Sequence, residues 1–236
     1  MKRATKRVSR VFACVCMVAF ACLAARPARG QSFVQVKSAV PVSATTVGVT
    51  YTSAQAAGDL NVVIVGWNDT TTTVKSVADA KLNSYVLASG PIKVAGNLTQ
   101  SIYYAKNIVA AAAGANTVTV TFSTSAIYPD VRILEYSGLD TNNPFDGGAG
   151  ATGTTTTADS GALTTTNAND LLIGANIVAT STAAPGAGFT QRIDTNPDGD
   201  IAEDRVVTVV GSYHATATLS AAGSWIMQVV AFKAAP

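Results

Sequence analysis

Beyond its first thirty residues the chain has no cysteine; Cys14, Cys16 and Cys22 are all there are. A protein that sheds that stretch has no disulfide, no thiol nucleophile and no cysteine metal site. Histidine is nearly missing as well, with His214 alone, so a multi-histidine zinc centre is excluded. No Gly-x-Ser-x-Gly elbow and no cysteine nucleophile accompany it, which argues against hydrolytic triad chemistry. Glutamate occurs twice, at Glu135 and Glu203. Helix is scarce too. Residues 110–115 have the propensity, but Gly114 interrupts them.

The first thirty residues read as a cleaved signal peptide. Lys2, Arg3, Lys6, Arg7 and Arg10 form a positive start, and residues 11–25 are a fifteen-residue apolar run, short for a membrane span. Ala28 and Gly30 then supply the small residues a signal peptidase accepts, placing the cut before Gln31. Seven of the sixteen basic residues lie in this segment and none of the fourteen acids. The remainder carries nine basic against fourteen acidic residues, a net charge of −5, which disfavours nucleic acid and anionic lipid as partners. The expectation is a secreted or cell-surface protein with no membrane insertion after cleavage, residues 31–236 forming one β domain.

What is present is β-branched. Short Val, Ile and Thr runs are separated by Gly, Asn, Asp and Pro clusters, the pattern of an all-β antiparallel sandwich. Residues 60–67 are almost continuously apolar, as in a strand covered on both faces, while 116–122 alternate strictly and should bury Val118, Val120 and Phe122. Residues 141–161 read as a long loop with one edge strand. Three short pairs link the two halves: Gly58-Asp-Leu60 with Asn169-Asp-Leu171, residues 119–123 with 216–220, and 133–136 with 229–232. They fit a two-sheet sandwich of two interleaved, pseudo-repeated halves.

One stretch concentrates oxygen ligands: Asp194, Asn196, Asp198, Asp200, Glu203 and Asp204 within eleven residues. Oxygens at alternate positions followed by Gly199 match the first half of a calcium loop, although Arg205 stands where an EF-hand places glutamate. Calcium is the one cofactor expected; a polar hairpin around Pro197-Asp-Gly199 is the alternative. Glu135 and Glu203 admit a glycosidase pair, against the plainer reading that each pairs with Arg132, Arg192 or Arg205. No complete catalytic motif is found. Tyr103, Tyr104, Glu135 and Tyr136 are the expected ligand-binding residues, aromatic rings offering stacking surfaces to sugars. Trp67 and Trp225 are expected in the core.

Taken in order, QSIYYAKNI (100–108), DVRILEYSGLD (130–140), TTTNANDLLIGA (164–175), PDGDIAEDR (197–205) and WIMQVVAFKA (225–234) resemble a group of exported bacterial β-sandwich modules found in large surface proteins. The resemblance implies an extracellular jelly roll similar to concanavalin A-like lectin and carbohydrate-binding folds, and it transfers no catalytic residue. Residues 135–140 do not match the Glu-x-Asp-x-x-Glu of the lectin-fold glucanases. The expected function is a non-catalytic binding or adhesion module for extracellular polysaccharide or surface glycan. The alternative is a self-associating structural or filament subunit.

Overall fold

The computed structural model describes Met1 and residues 30–236, so the expected signal segment lies outside the described residues. Among the described residues every regular element is a strand. The first half contains β1 (Ser32–Ala39), β2 (Ser43–Tyr51), β3 (Leu60–Trp67), β4 (Val74–Asp79), β5 (Val86–Val94), β6 (Leu98–Ala105), β7 (Asn116–Ile127) and β8 (Asp130–Ser137). The second contains β9 (Phe145–Gly153), β10 (Thr157–Asp159), β11 (Leu163–Thr164), β12 (Asp170–Val178) and β13 (Thr182–Pro185). It continues through β14 (Thr190–Asp194), β15 (Ile201–Val207), β16 (Ser212–Tyr213), β17 (Thr216–Leu219) and β18 (Trp225–Lys233).

The pairing repeats. A five-stranded antiparallel sheet in the first half runs β1-β8-β3-β6-β5, and the second half runs β9-β18-β12-β15-β14. Each is accompanied by a three-stranded sheet, β2-β7-β4 and β10-β17-β13, in the same order of equivalents. The three sequence matches fall on equivalent strands: β3 with β12, β7 with β17, β8 with β18. The halves are not interleaved. Each keeps its own sheets, the second half adding the two-stranded β11-β16, and among the described residues the isolated Leu139–Ala234 bridge is the one β-type pairing between them.

Three apolar clusters bind the four layers. Val49, Trp67, Val120 and Phe122 join β2-β7-β4 to the first five-stranded sheet. Leu172, Ala217, Leu219 and Met227 do the same in the second half. Between them Ile64, Ile102, Leu134, Ile173, Val230 and Phe232 pack the two large sheets face to face. Strands β3, β12 and β18 thus have both faces covered, which is why they read as nearly continuous apolar runs. The strict alternation of β7 buries Val118, Val120 and Phe122, as expected of a strand with one wet face. Trp67 and Trp225 are both core residues.

Residues 141–161 are more ordered than a loop. Phe145–Gly153 form β9, the expected edge strand, paired along its length with β18, and Thr157–Asp159 add β10. The glycines of β9 hide its bounds from propensity, yet the packing requires them. A Cβ on Gly150 would stand 2.3 Å from Ile92 Cδ1, and one on Gly153 would stand 2.2 Å from the Trp225 ring. Gly153→Val is expected to lower stability by about 1–3 kcal/mol through overpacking. Urea unfolding with an unchanged m-value is the check; an unshifted midpoint would mean that the Trp225 ring moves aside freely.

Candidate functional site

Four chain segments meet where the halves abut at one end of the facing sheets. Asn68 follows β3, Tyr128 occupies the turn between β7 and β8, Thr180 follows β12, and residues 197–200 lead into β15. Together they line a groove of about 250 Å³. Asp198 and Asp200 belong to its wall and Asp130, fully buried at the start of β8, joins them from beneath. One ligating oxygen from each of the three lies within 4.8 Å of the others.

The local chain explains the convergence. Gly199 has φ +70°, and a Cβ there would come within 2.6 Å of the Ser181 Cβ, so only glycine lets this turn sit down on the β12–β13 connection. The turn is closed by Gly199 N–H donating to the Thr195 carbonyl at 2.6 Å. Thr195 Oγ1 donates to Asp130 Oδ2 at 2.5 Å, tying the second-half turn to the first-half strand. Asp200 Oδ1 accepts the Val178 N–H at 2.9 Å.

Arg132, two residues along β8 and therefore on the same face, is buried beside the acids. Its Nε lies 3.0 Å from Asp130 Oδ1. Its other nitrogens donate to the carbonyls of Ile201 and Asn176 and to Gln100 Oε1, at 2.6, 2.9 and 3.1 Å. Gln100 continues the chain to Gln228 and the Ala175 carbonyl, each at 3.0 Å. A polar network thus crosses the apolar joint between the halves. Burial, then the charge of Asp130, pushes Asp198 above the usual carboxylate range, and the same two causes raise Asp200 well above it.

Of the six oxygen ligands expected from sequence, the structure gathers two. Asp194 and Asn196 are exposed on the outside of the turn. Glu203 and Asp204 are neighbours on β15 and must point to opposite faces. Glu203 enters the second-half core, where Oε2 accepts the Gly186 N–H at 2.8 Å. Asp204 makes a two-bond ion pair with Arg192, at 2.7 and 2.9 Å. Sequence reasoning missed Asp130, sixty-eight residues upstream of Asp198. Its signal was a charged i, i+2 pair, Asp130 and Arg132, opening a strand that is buried almost throughout.

The expected ligand-binding set does not form a surface. Glu135 and Tyr136 have no exposed area, and Tyr103 and Tyr104 pack against different cores. Glu135 receives a hydrogen bond from Gln35 at 2.5 Å, and neither glutamate pairs with an arginine. The two lie in separate cores on either side of the paired large sheets, so they cannot flank one glycosidic bond. A second groove, lined by Ser84, Lys106, Asn107 and Asn142 among others, opens at the opposite end of the sheets but contains no carboxylate and no aromatic ring.

No protein-family model and no curated protein matches the chain. Its chemistry rests on the groove at the joint. Three carboxylates against one guanidinium leave two negative charges when all are ionised, the charge that one calcium ion neutralises. Their oxygens, with the Asn68 amide and water, can supply the six to eight ligands calcium takes.

Proposed function

We propose that the chain is a non-catalytic extracellular binding module that takes carbohydrate in the inter-half groove, with calcium held by Asp130, Asp198 and Asp200. The convergence of these three acids beside Tyr128 carries the reading. Tyr128 is 47% exposed and offers a ring face for stacking, while the acids, Asn68 and Thr180 offer hydroxyl partners. The groove is smaller than the roughly 300–1,000 Å³ of drug-sized pockets and suits one sugar ring or a chain end. The resemblance to exported lectin-like sandwiches points the same way.

Thermal unfolding with and without calcium is the test, followed by a glycan array in both conditions. For an extracellular site with a dissociation constant on the order of 0.1–1 mM, about 2 mM calcium should stabilise the protein by about 0.6–1.8 kcal/mol. Excess EDTA and Asp198→Ala should each abolish the shift, and Tyr128→Ala should remove glycan binding while keeping it. An unshifted midpoint would refute the calcium site. A calcium response without glycan binding, from a chain that elutes as large assemblies, would favour the structural subunit.

A further inference from the structure

Away from the groove, three adjacent strands of the second half converge on Asp146 (β9), Asp170 (β12) and Lys233 (β18). Strand β18 lies between the other two, and Lys233 stands directly opposite Asp170 in register. Lys233 Nζ is 3.7 Å from Asp146 Oδ1, with the Asp146 side chain 1% exposed and that of Lys233 21% exposed. Asp146 is held in place by Thr166, whose backbone N–H and hydroxyl both donate to it.

Asp170 is the unexplained member. It is fully buried, and neither of its oxygens receives a hydrogen bond from any N–H or O–H donor among the described residues. The neighbouring acid is Asp146, whose charge acts directly on it. Two neighbouring buried carboxyls disfavour each other's ionisation, so one of them tends to keep its proton. Burial, then Asp146, pushes the Asp170 carboxyl up to about 7. An amine, a fixed carboxyl carbon and a buried proton-bearing acid are thus assembled at one point. These are the parts an amide condensation needs.

We propose that Lys233 and Asp146 condense into an intramolecular isopeptide bond, with Asp170 relaying the protons. One proton passes from the Lys233 ammonium to the Asp146 carboxylate through Asp170. The freed amine lone pair attacks Asp146 Cγ, and the C–N bond forms. Asp170 then accepts a second proton from the nitrogen and delivers one to the departing hydroxyl. The C–O bond breaks and water leaves. An ammonium and a carboxylate enter, an amide and one water result, nothing is oxidised or reduced, and Asp170 finishes protonated as it began. The bond ties the last strand to the glycine-rich edge strand in a region that has no cysteine to do so.

Mass spectrometry of the purified, folded chain tests this. The cross-linked protein is lighter than its sequence by one water, about 18 Da. Trypsin should then yield residues 133–192 joined to 206–236, the bond after Lys233 remaining uncut. Lys233→Arg and Asp146→Ala should restore the full mass, and so should Asp170→Asn, with circular dichroism confirming that it folds. Wild-type protein of full mass, releasing 133–192 and 206–233 separately, would reduce the triad to an ordinary ion pair. Complete bond formation in Asp170→Asn would remove Asp170 from the mechanism. The wild-type result stands whether or not any variant folds.

Discussion

Arg132→Ala is expected to cost about 3–5 kcal/mol of folding stability, the usual range when one partner of a buried ion pair is removed. Equilibrium urea unfolding measures it. The side chain has no exposed area and satisfies four groups at once: Asp130, Gln100 and the carbonyls of Ile201 and Asn176. Its loss leaves Asp130 charged, buried and facing Asp198 and Asp200 with no counter-charge. Arg132→Lys should recover little, because a single ammonium cannot span partners on both halves as the guanidinium fork does. Adding Asp130→Ala to Arg132→Ala should recover part of the loss, since the orphaned charge goes with it. A cost under about 1 kcal/mol would mean that water reaches the joint and solvates what the arginine leaves.

The second large effect is on pH. Glu203 is buried in the second-half core, its Oε1 has no hydrogen-bond partner, and burial pushes its carboxyl from 4.5 to about 7. A raised carboxyl holds its proton longer in the folded state than in the unfolded one. Its contribution is therefore full below about 4.5 and is lost as pH climbs through about 7. Wild-type protein should be less stable at pH 8 than at pH 5, the Glu203 share being about 1–3 kcal/mol at about 1.4 kcal/mol per unit. Glu203→Gln keeps an acceptor for the Gly186 N–H and removes the charge, so it should gain that amount at pH 8 and little at pH 5. Hydrogen bonding holds Asp69 and Asp140 below the ordinary value, so their contribution is lost only in stronger acid. The stability maximum is expected in mild acid. Equal stability of the wild type at pH 5 and pH 8 would contradict the assignment.

The fold class was written in the sequence wherever burial follows a period. Alternation in β7 and the nearly continuous apolar runs of β3 and β18 state their environments directly. Three short matches between the halves fall on equivalent strands, because those strands meet equivalent neighbours. β2 was hidden: it has a single line of apolar residues, Val47, Val49 and Tyr51, diluted by threonine and glycine. The edge strand expected within 141–161 is β9, whose bounds its clearance glycines obscure. The candidate site was half legible. Local spacing brought out Asp198 and Asp200, but periodicity along one segment cannot report a partner on another strand, so Asp130 went unseen. Glu203 and Asp204 misled for a related reason: residues close in sequence diverge once a strand begins.

Where two bodies meet across a ligand site, the usual expectation is a jaw that shuts on its contents. The joint here is of another kind. Beneath it lie the buried Asp130 and Arg132, the apolar core between the large sheets continues below them, and its walls hang from strands covered on both faces. Moving one half against the other would empty that core and strand Arg132. The groove is accordingly a slot cut in a single block, its width set when the chain folds. A ligand of the proposed kind would meet a surface already shaped by folding, with little to spend on closing it.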